Sequence, residues 1–186
     1  MALDDVEVVR QPIGVSAESR RRLGDRLALR LPRGLAFLAR AVWRLPPSSR
    51  LRQAVVRRMA QSVLEAVNRG DFEAAFGLHD RDVELRSPPD MIGLGEESVT
   101  SGREERVSFQ RKWNAQWGDV RFEPDEVIDL GDRVLVVGHV KGTGISSGAP
   151  FDSEWANLVT ISAGRVVREQ VFMSHHAALE AVGLQD

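Results

Sequence analysis

A chain of 186 residues with 42% hydrophobic content has material for one buried core, and its length argues for one domain plus an appendage. It contains no cysteine, which excludes disulfides, thiolate metal sites and cysteine nucleophiles. The net charge of −2 divides unevenly: residues 1–58 hold 13 arginines against 5 acids, leaving 12 basic and 22 acidic residues in 59–186, so the two parts differ in electrostatic character.

No stretch reaches the roughly 20 apolar residues of a membrane helix. The start Met1-Ala2-Leu3-Asp4-Asp5 lacks the basic and apolar segments of a signal peptide, so the expectation is a cytoplasmic protein, soluble or membrane-peripheral. Residues 1–54 read as a basic helical N-terminal extension, with short helices over Leu27–Arg33 and Leu35–Arg44 punctuated by Pro32, Gly34 and Pro46-Pro47. Arginines bordering an apolar surface that includes Trp43 suit packing against the chain's own acidic part. Over residues 20–58 an anionic membrane surface or an acidic protein partner is the second reading. Arginine without lysine, interleaved with leucine and alanine, does not read as a phosphate track, so nucleic acid is not expected.

Residues 55–184 carry the main domain. Val56, Met59, Ala60, Val63, Leu64 and Val67 recur at three- and four-residue spacing and predict one helix ending at Asn68-Arg69-Gly70. Asp71 is a candidate cap for a second, short helix with Phe72, Ala75, Phe76 and Leu78, and Asp82 to Arg86 turns extended before Pro88-Pro89. Ser101-Gly102-Arg103-Glu104 is a capping-box pattern opening a third helix, on which Phe109, Trp113 and Trp117 share a face. Val120–Leu130, Arg133–Thr143, Phe151–Ile161 and Arg165–Met173 read as strands joined by short turns, hence antiparallel neighbours. A last helix runs from a Ser174 cap to Gly183. Helices followed by a meander of long strands predict an α+β fold with helices on one face of a curved antiparallel sheet.

Ala66-Val67-Asn68-Arg69-Gly70-Asp71-Phe72, the strand before Pro88-Pro89, Gly102-Arg103-Glu104-Glu105, Val127 to Val134, Gly164-Arg165-Val166-Val167 and Ala178 to Leu184 together resemble the SnoaL-like branch of the nuclear transport factor 2-like superfamily. The resemblance covers roughly residues 55–184 and implies a cone, a bent sheet wrapped around about three helices, with an internal small-molecule pocket and frequently a homodimer. Relatives include polyketide cyclases, ketosteroid isomerases and limonene-type epoxide hydrolases. The catalytic Asp of the cyclase and hydrolase branches corresponds here to Val171, and the Arg and Asp of the epoxide hydrolases to Gly138 and Val140, which speaks against both mechanisms.

The register that the resemblance implies points Glu84, Arg86, Ser153, Trp155, Asn157, Val159, Glu169, Val171 and Met173 into the cone. A Glu half-buried beside Trp rings would have its pKa raised toward the range useful for proton transfer, making Glu84 or Glu169 the candidate catalytic base. Against this stands the reading in which Glu84 pairs with Arg86 and Glu169 sits at the solvent mouth. Trp113, Trp117 and Trp155 are candidate walls for a hydrophobic ligand, or core. Asn157 would orient a ligand carbonyl or satisfy a neighbouring group.

His175 and His176 read as solvated residues at a helix start, His139 as lying on the strand face away from the pocket, and His79 as lying in a connecting turn near Asp80 and Asp82. No metal motif or dinucleotide fingerprint emerges, and no cofactor is expected. Two functions stay open: a cofactor-independent isomerase or cyclase acting on a hydrophobic carbonyl compound, and a non-catalytic ligand-binding or dimerisation module held to a membrane or partner by its basic helices. An apolar sheet back that includes Leu135 and Val137 makes a homodimer the expectation.

Overall fold

The computed structural model describes residues 7–15, 32–89 and 98–185. Helix α1 spans Pro32–Val42, with Pro32 at its first position, where a missing N–H costs nothing. Gly34 lies within this helix instead of separating two. Most of the expected helix over 27–33 lies outside the described residues.

Helix α2, Arg50–Asn68, is capped by Ser49, whose side chain accepts from the Arg52 N–H, and it buries Val56, Leu64 and Val67. It runs through the position between 54 and 55 where the sequence places a domain boundary. At its end Asn68 clasps β4, Trp117–Asp129, donating to the Phe122 carbonyl at 2.9 Å and accepting from the Phe122 N–H at 2.8 Å. Short α3, Phe72–Ala75, follows, and the Asp71 side chain makes no cap hydrogen bond to it.

The remaining elements are β2 (His79–Ser87), β3 (Ser98–Ser101), α4 (Arg103–Asn114), β5 (Arg133–Gly144), β6 (Pro150–Ser162), β7 (Arg165–Phe172) and α5 (His175–Ala181). The expected capping box does not form: Ser101 belongs to β3, and Gly102, at φ 101°, occupies the N-cap of α4. Helix α4 stops at Asn114, so Trp117 opens a strand and does not continue the helix face. Ser174 caps α5 as expected, accepting from the Ala177 N–H.

With β1 (Val9–Pro12), the seven strands form one unclosed sheet in the order β1-β4-β5-β6-β7-β2-β3. Strands β4 to β7 are an antiparallel meander, and its last turn carries positive φ at both Ala163 and Gly164, the twist-matched geometry of a tight hairpin. The sheet is mixed, not purely antiparallel, because β2 pairs with β7 in parallel. The two are far apart in the chain, so no hairpin turn imposes an antiparallel direction. Strand β1, contributed by the N-terminal extension, adds an edge beside β4.

Both sheet faces are covered. Helices α2, α3 and α4 fill the concave side around Val56, Phe76, Leu85, Phe122 and Trp155. On the convex side α5 lays Ala178, Leu179 and Val182 over Ile128, Leu135, Val137 and Leu158. The apolar back that prompted the expectation of a homodimer is therefore occupied by the chain's own last helix.

Candidate active site in the concave face

Strand alternation on β6 and β7 sets the inner wall. Trp155 and Asn157 of β6 and Glu169 and Val171 of β7 face the helices, and the register places Asn157 opposite Val171 and Val159 opposite Glu169. Asn157 and Glu169 are therefore diagonal neighbours on one face, roughly 7–8 Å apart. Leu85 of β2, Phe122 of β4, Val67 of α2 and Phe109 of α4 complete an apolar enclosure. Its free volume is about 30 Å³, room for one or two water molecules.

Glu84 and Arg86 are not part of it. On β2 the residues that bury are His79, Val83, Leu85 and Ser87, so Glu84 and Arg86 are one position out of step with the expected register, and a one-residue slip moves every side chain to the other face. Glu84 and Arg86 stand on the outer side, paired at 2.8 Å, with Arg168 a further 3.5 Å from the carboxylate. The Arg86 hydrogen bond and these charges hold the Glu84 carboxyl below its ordinary pKa, against a smaller opposing effect of desolvation, so the raised value expected of it is absent.

Glu169 is 2% exposed, not at a solvent mouth. His79 Nε2 lies 2.8 Å from its Oε1, and the Arg106 Nε–H donates to its Oε2. Burial pushes the Glu169 carboxyl up, but the Arg106 and His79 charges and hydrogen bonds outweigh it and hold the pKa well below the carboxylate range. An ionised carboxylate only accepts, so Nε2 carries the proton of that bond. Arg106 also donates to Gln110 Oε1 at 2.9 Å, Gln110 donates to Asn114 Oδ1 at 2.7 Å, and the guanidinium lies 3.9 Å from the Phe76 ring centroid.

Three members of this network, His79, Arg106 and Gln110, were not anticipated. His79 opens β2 and is buried, not placed in a turn. Arg106, Gln110 and Asn114 sit at four-residue spacing on a helix dense in charge, where a charged residue ordinarily reads as solvated. That spacing, in line with Phe109 and Trp113 on a neighbouring stripe, was the available signal.

The other expected residues are distributed around the cavity. Trp113 is core, its ring centroid 5.7 Å from Phe122 and 5.8 Å from Trp117. Trp117 lies against Phe151 at 4.5 Å, and Phe122 meets Trp155 edge-on at 5.0 Å. Ser153 is half-buried outside the lining. Val159 and Met173 pack partly buried against the core. His139 is on the outer face, 2.7 Å from Asp152. His175 is not simply solvated: its Nε2–H donates to the Gly138 carbonyl at 2.6 Å and its backbone N–H to Glu154 at 2.8 Å. Among the described residues no group of three His, Asp or Glu is placed to hold a metal ion.

The family model described as SnoaL-like domain matches residues 60–169. This chain belongs to the SnoaL-like domain family. Its fold is the nuclear transport factor 2-like one. An NTF2-like protein of unknown function from Burkholderia pseudomallei is 21% identical, covering 68% of this chain and 95% of its own, with a TM-score of 0.57. SalBIII, an epoxide hydrolase/cyclase-like enzyme in salinomycin pyran ring formation, is 17% identical over 66% of this chain and 93% of its own, at 0.53. AclR, a putative hydroxylase from Streptomyces galilaeus, is 16% identical over 70% and 96%, also at 0.53. At such identities the likeness is one of fold. A comparison with curated proteins finds no match.

In this SnoaL-like domain, Val171 sits in the cavity wall where the resemblance places a catalytic acid, and it has no ionisable group. Gly138 leaves no space for a side chain: a Cβ there would stand 2.3 Å from the Glu123 carbonyl oxygen.

Proposed function

We propose that the concave cavity binds a small, largely apolar compound bearing a carbonyl or hydroxyl group, and that the chemistry it serves is a cofactor-independent isomerisation or cyclisation. One observation carries the reading. The Asn157 Oδ1 is buried without a hydrogen-bond partner among the described residues, on a wall shared with Trp155, Phe122 and Val171. An unpaired buried polar group costs about 1–3 kcal/mol, which a ligand hydroxyl relieves.

The free volume of about 30 Å³ receives the polar end of a ligand, whereas drug-sized ligands occupy roughly 300 Å³ or more. A ring compound therefore fits only if side chains of the lining move apart. Held ionised with both oxygens engaged, Glu169 is a positioning group and not the proton shuttle. Arg106, beside it on the cavity wall, is the group suited to stabilise negative charge developing on a ligand oxygen. His79, bonded to Glu169 through Nε2, stands outside the residues that line the cavity and positions that carboxylate. The description of SalBIII as epoxide hydrolase/cyclase-like is in keeping with ring chemistry on this fold.

The test is thermal unfolding of the wild type and Asn157→Leu against cyclic hydroxy-enones and hydroxylated aromatic ketones, whose O–H can donate to Asn157 Oδ1. A bound compound at a hundredfold excess over its Kd stabilises by about 2.7 kcal/mol, so Tm rises by several degrees in the wild type and not in the variant. No rise with any compound, or an equal rise in the variant, contradicts the reading.

A further inference from the structure

A second cavity lies away from the concave face, between α1 and the sheet turns after β4 and β6. It has a volume of about 540 Å³ and is walled by Arg40, Trp43, Arg44, Asp132 and the 161–164 turn, with Arg52 at its base. Arg33, Arg40, Arg44, Arg50, Arg52, Arg57 and Arg58 all fall within residues 32–58, which contain no acid. Arg52 is committed to structure: its guanidinium clasps Asp129 through two contacts of 2.7 Å. It also donates to the Trp43 and Leu45 carbonyls at 3.1 and 2.7 Å. Carbonyls at a helix end repel anions, and here a buried arginine satisfies them.

Arg40 and Arg44 are exposed, stand four residues apart, and have no ion-pair partner among the described residues. The indole Nε1–H of Trp43 is buried with no acceptor among the described residues, although a buried indole N–H ordinarily finds one. Asp132, the single acid of the described wall, is itself 76% exposed, and the Arg133 guanidinium lies 4.0 Å away.

We propose that this cavity is an oxyanion site for a phosphate-type group, held by the Arg40 and Arg44 guanidinia, which match phosphate geometry, with Trp43 in its wall. Two sources present that chemistry: a soluble phosphate, and the headgroup of an anionic phospholipid. The second is pertinent because Phe37, Leu38 and Leu51 are 73%, 60% and 61% exposed around the same helix junction. The proposal is independent of the concave cavity.

The experiment has two arms, both on the full chain. Inorganic phosphate is titrated while the Trp43 indole N–H resonance is followed, assigned with Trp43→Phe. Flotation is measured with phosphatidylglycerol-containing and with pure phosphatidylcholine vesicles. A saturable shift identifies a soluble anion, and flotation with the anionic vesicles alone identifies a lipid headgroup. Arg40→Ala/Arg44→Ala, checked for an unchanged circular dichroism spectrum, weakens whichever response occurs by about tenfold or more. Absence of both responses, or a response unaltered in the double variant, overturns the assignment.

Discussion

His79 and Glu169, separated by 90 positions in the chain, meet at 2.8 Å with both side chains buried, across the parallel junction of β2 and β7. This contact and the Arg106 hydrogen bond make Glu169 the hub of the interior. Glu169→Gln leaves Arg106 as a buried charge without its counter-ion, and breaking such a pair costs about 3–5 kcal/mol. Urea denaturation measures it. Glu84→Gln, on the outer face, is expected to leave the midpoint unchanged.

The same carboxylate predicts a pH dependence. Its folded pKa is depressed, so its stabilising contribution is complete above the unfolded value of about 4.3 and is lost as pH falls below that, toward the lower folded value. Unfolding free energy of the wild type should fall between about pH 5 and pH 3 more steeply than that of Glu169→Gln. Parallel curves for the two proteins would show that the carboxyl titrates normally.

Arg52 and Asp129, both essentially unexposed, pin α2 to the end of β4. Arg52→Lys keeps the charge but loses the fork that reaches Asp129 twice and three backbone carbonyls, so Lys is expected to fail as a replacement. A loss of about 3 kcal/mol or more by denaturant titration is predicted, and a loss below about 1 kcal/mol would place the pair among weak surface bridges.

Gly138→Ala forces a Cβ to within 2.3 Å of the Glu123 oxygen and 2.6 Å of the Pro124 Cα. Both are backbone atoms beside the irregularity between Pro124 and Glu126, so relief requires moving the strand. A loss of about 1–3 kcal/mol is expected, seen as a lower Tm. An unchanged Tm would mean that β4 yields freely there.

How much of this was legible follows from where the signals lay. The helical stripe of α2 and the long strands β4 to β7 were readable because burial on one face imposes a strong period. On β2 the local pattern Asp82-Val83-Glu84-Leu85-Arg86 already alternates with Val83 and Leu85 as the apolar set. A register taken from the family resemblance set that aside, and the structure follows the local pattern. The interior polar network was hidden for a different reason: Arg106 and Gln110 lie on a polar helix, and their burial depends on His79 and Glu169, which only the β2–β7 pairing brings close. No local window contains that pairing.

The central claim is that a small molecule enters the concave cavity and meets Asn157. The most direct measurement is the side-chain amide resonance of Asn157, assigned with Asn157→Leu, during titration with a compound that raises Tm. The account predicts a saturable shift of that amide at the same midpoint as the thermal stabilisation. Stabilisation with an unmoved Asn157 amide, and shifts confined to surface residues, would contradict it.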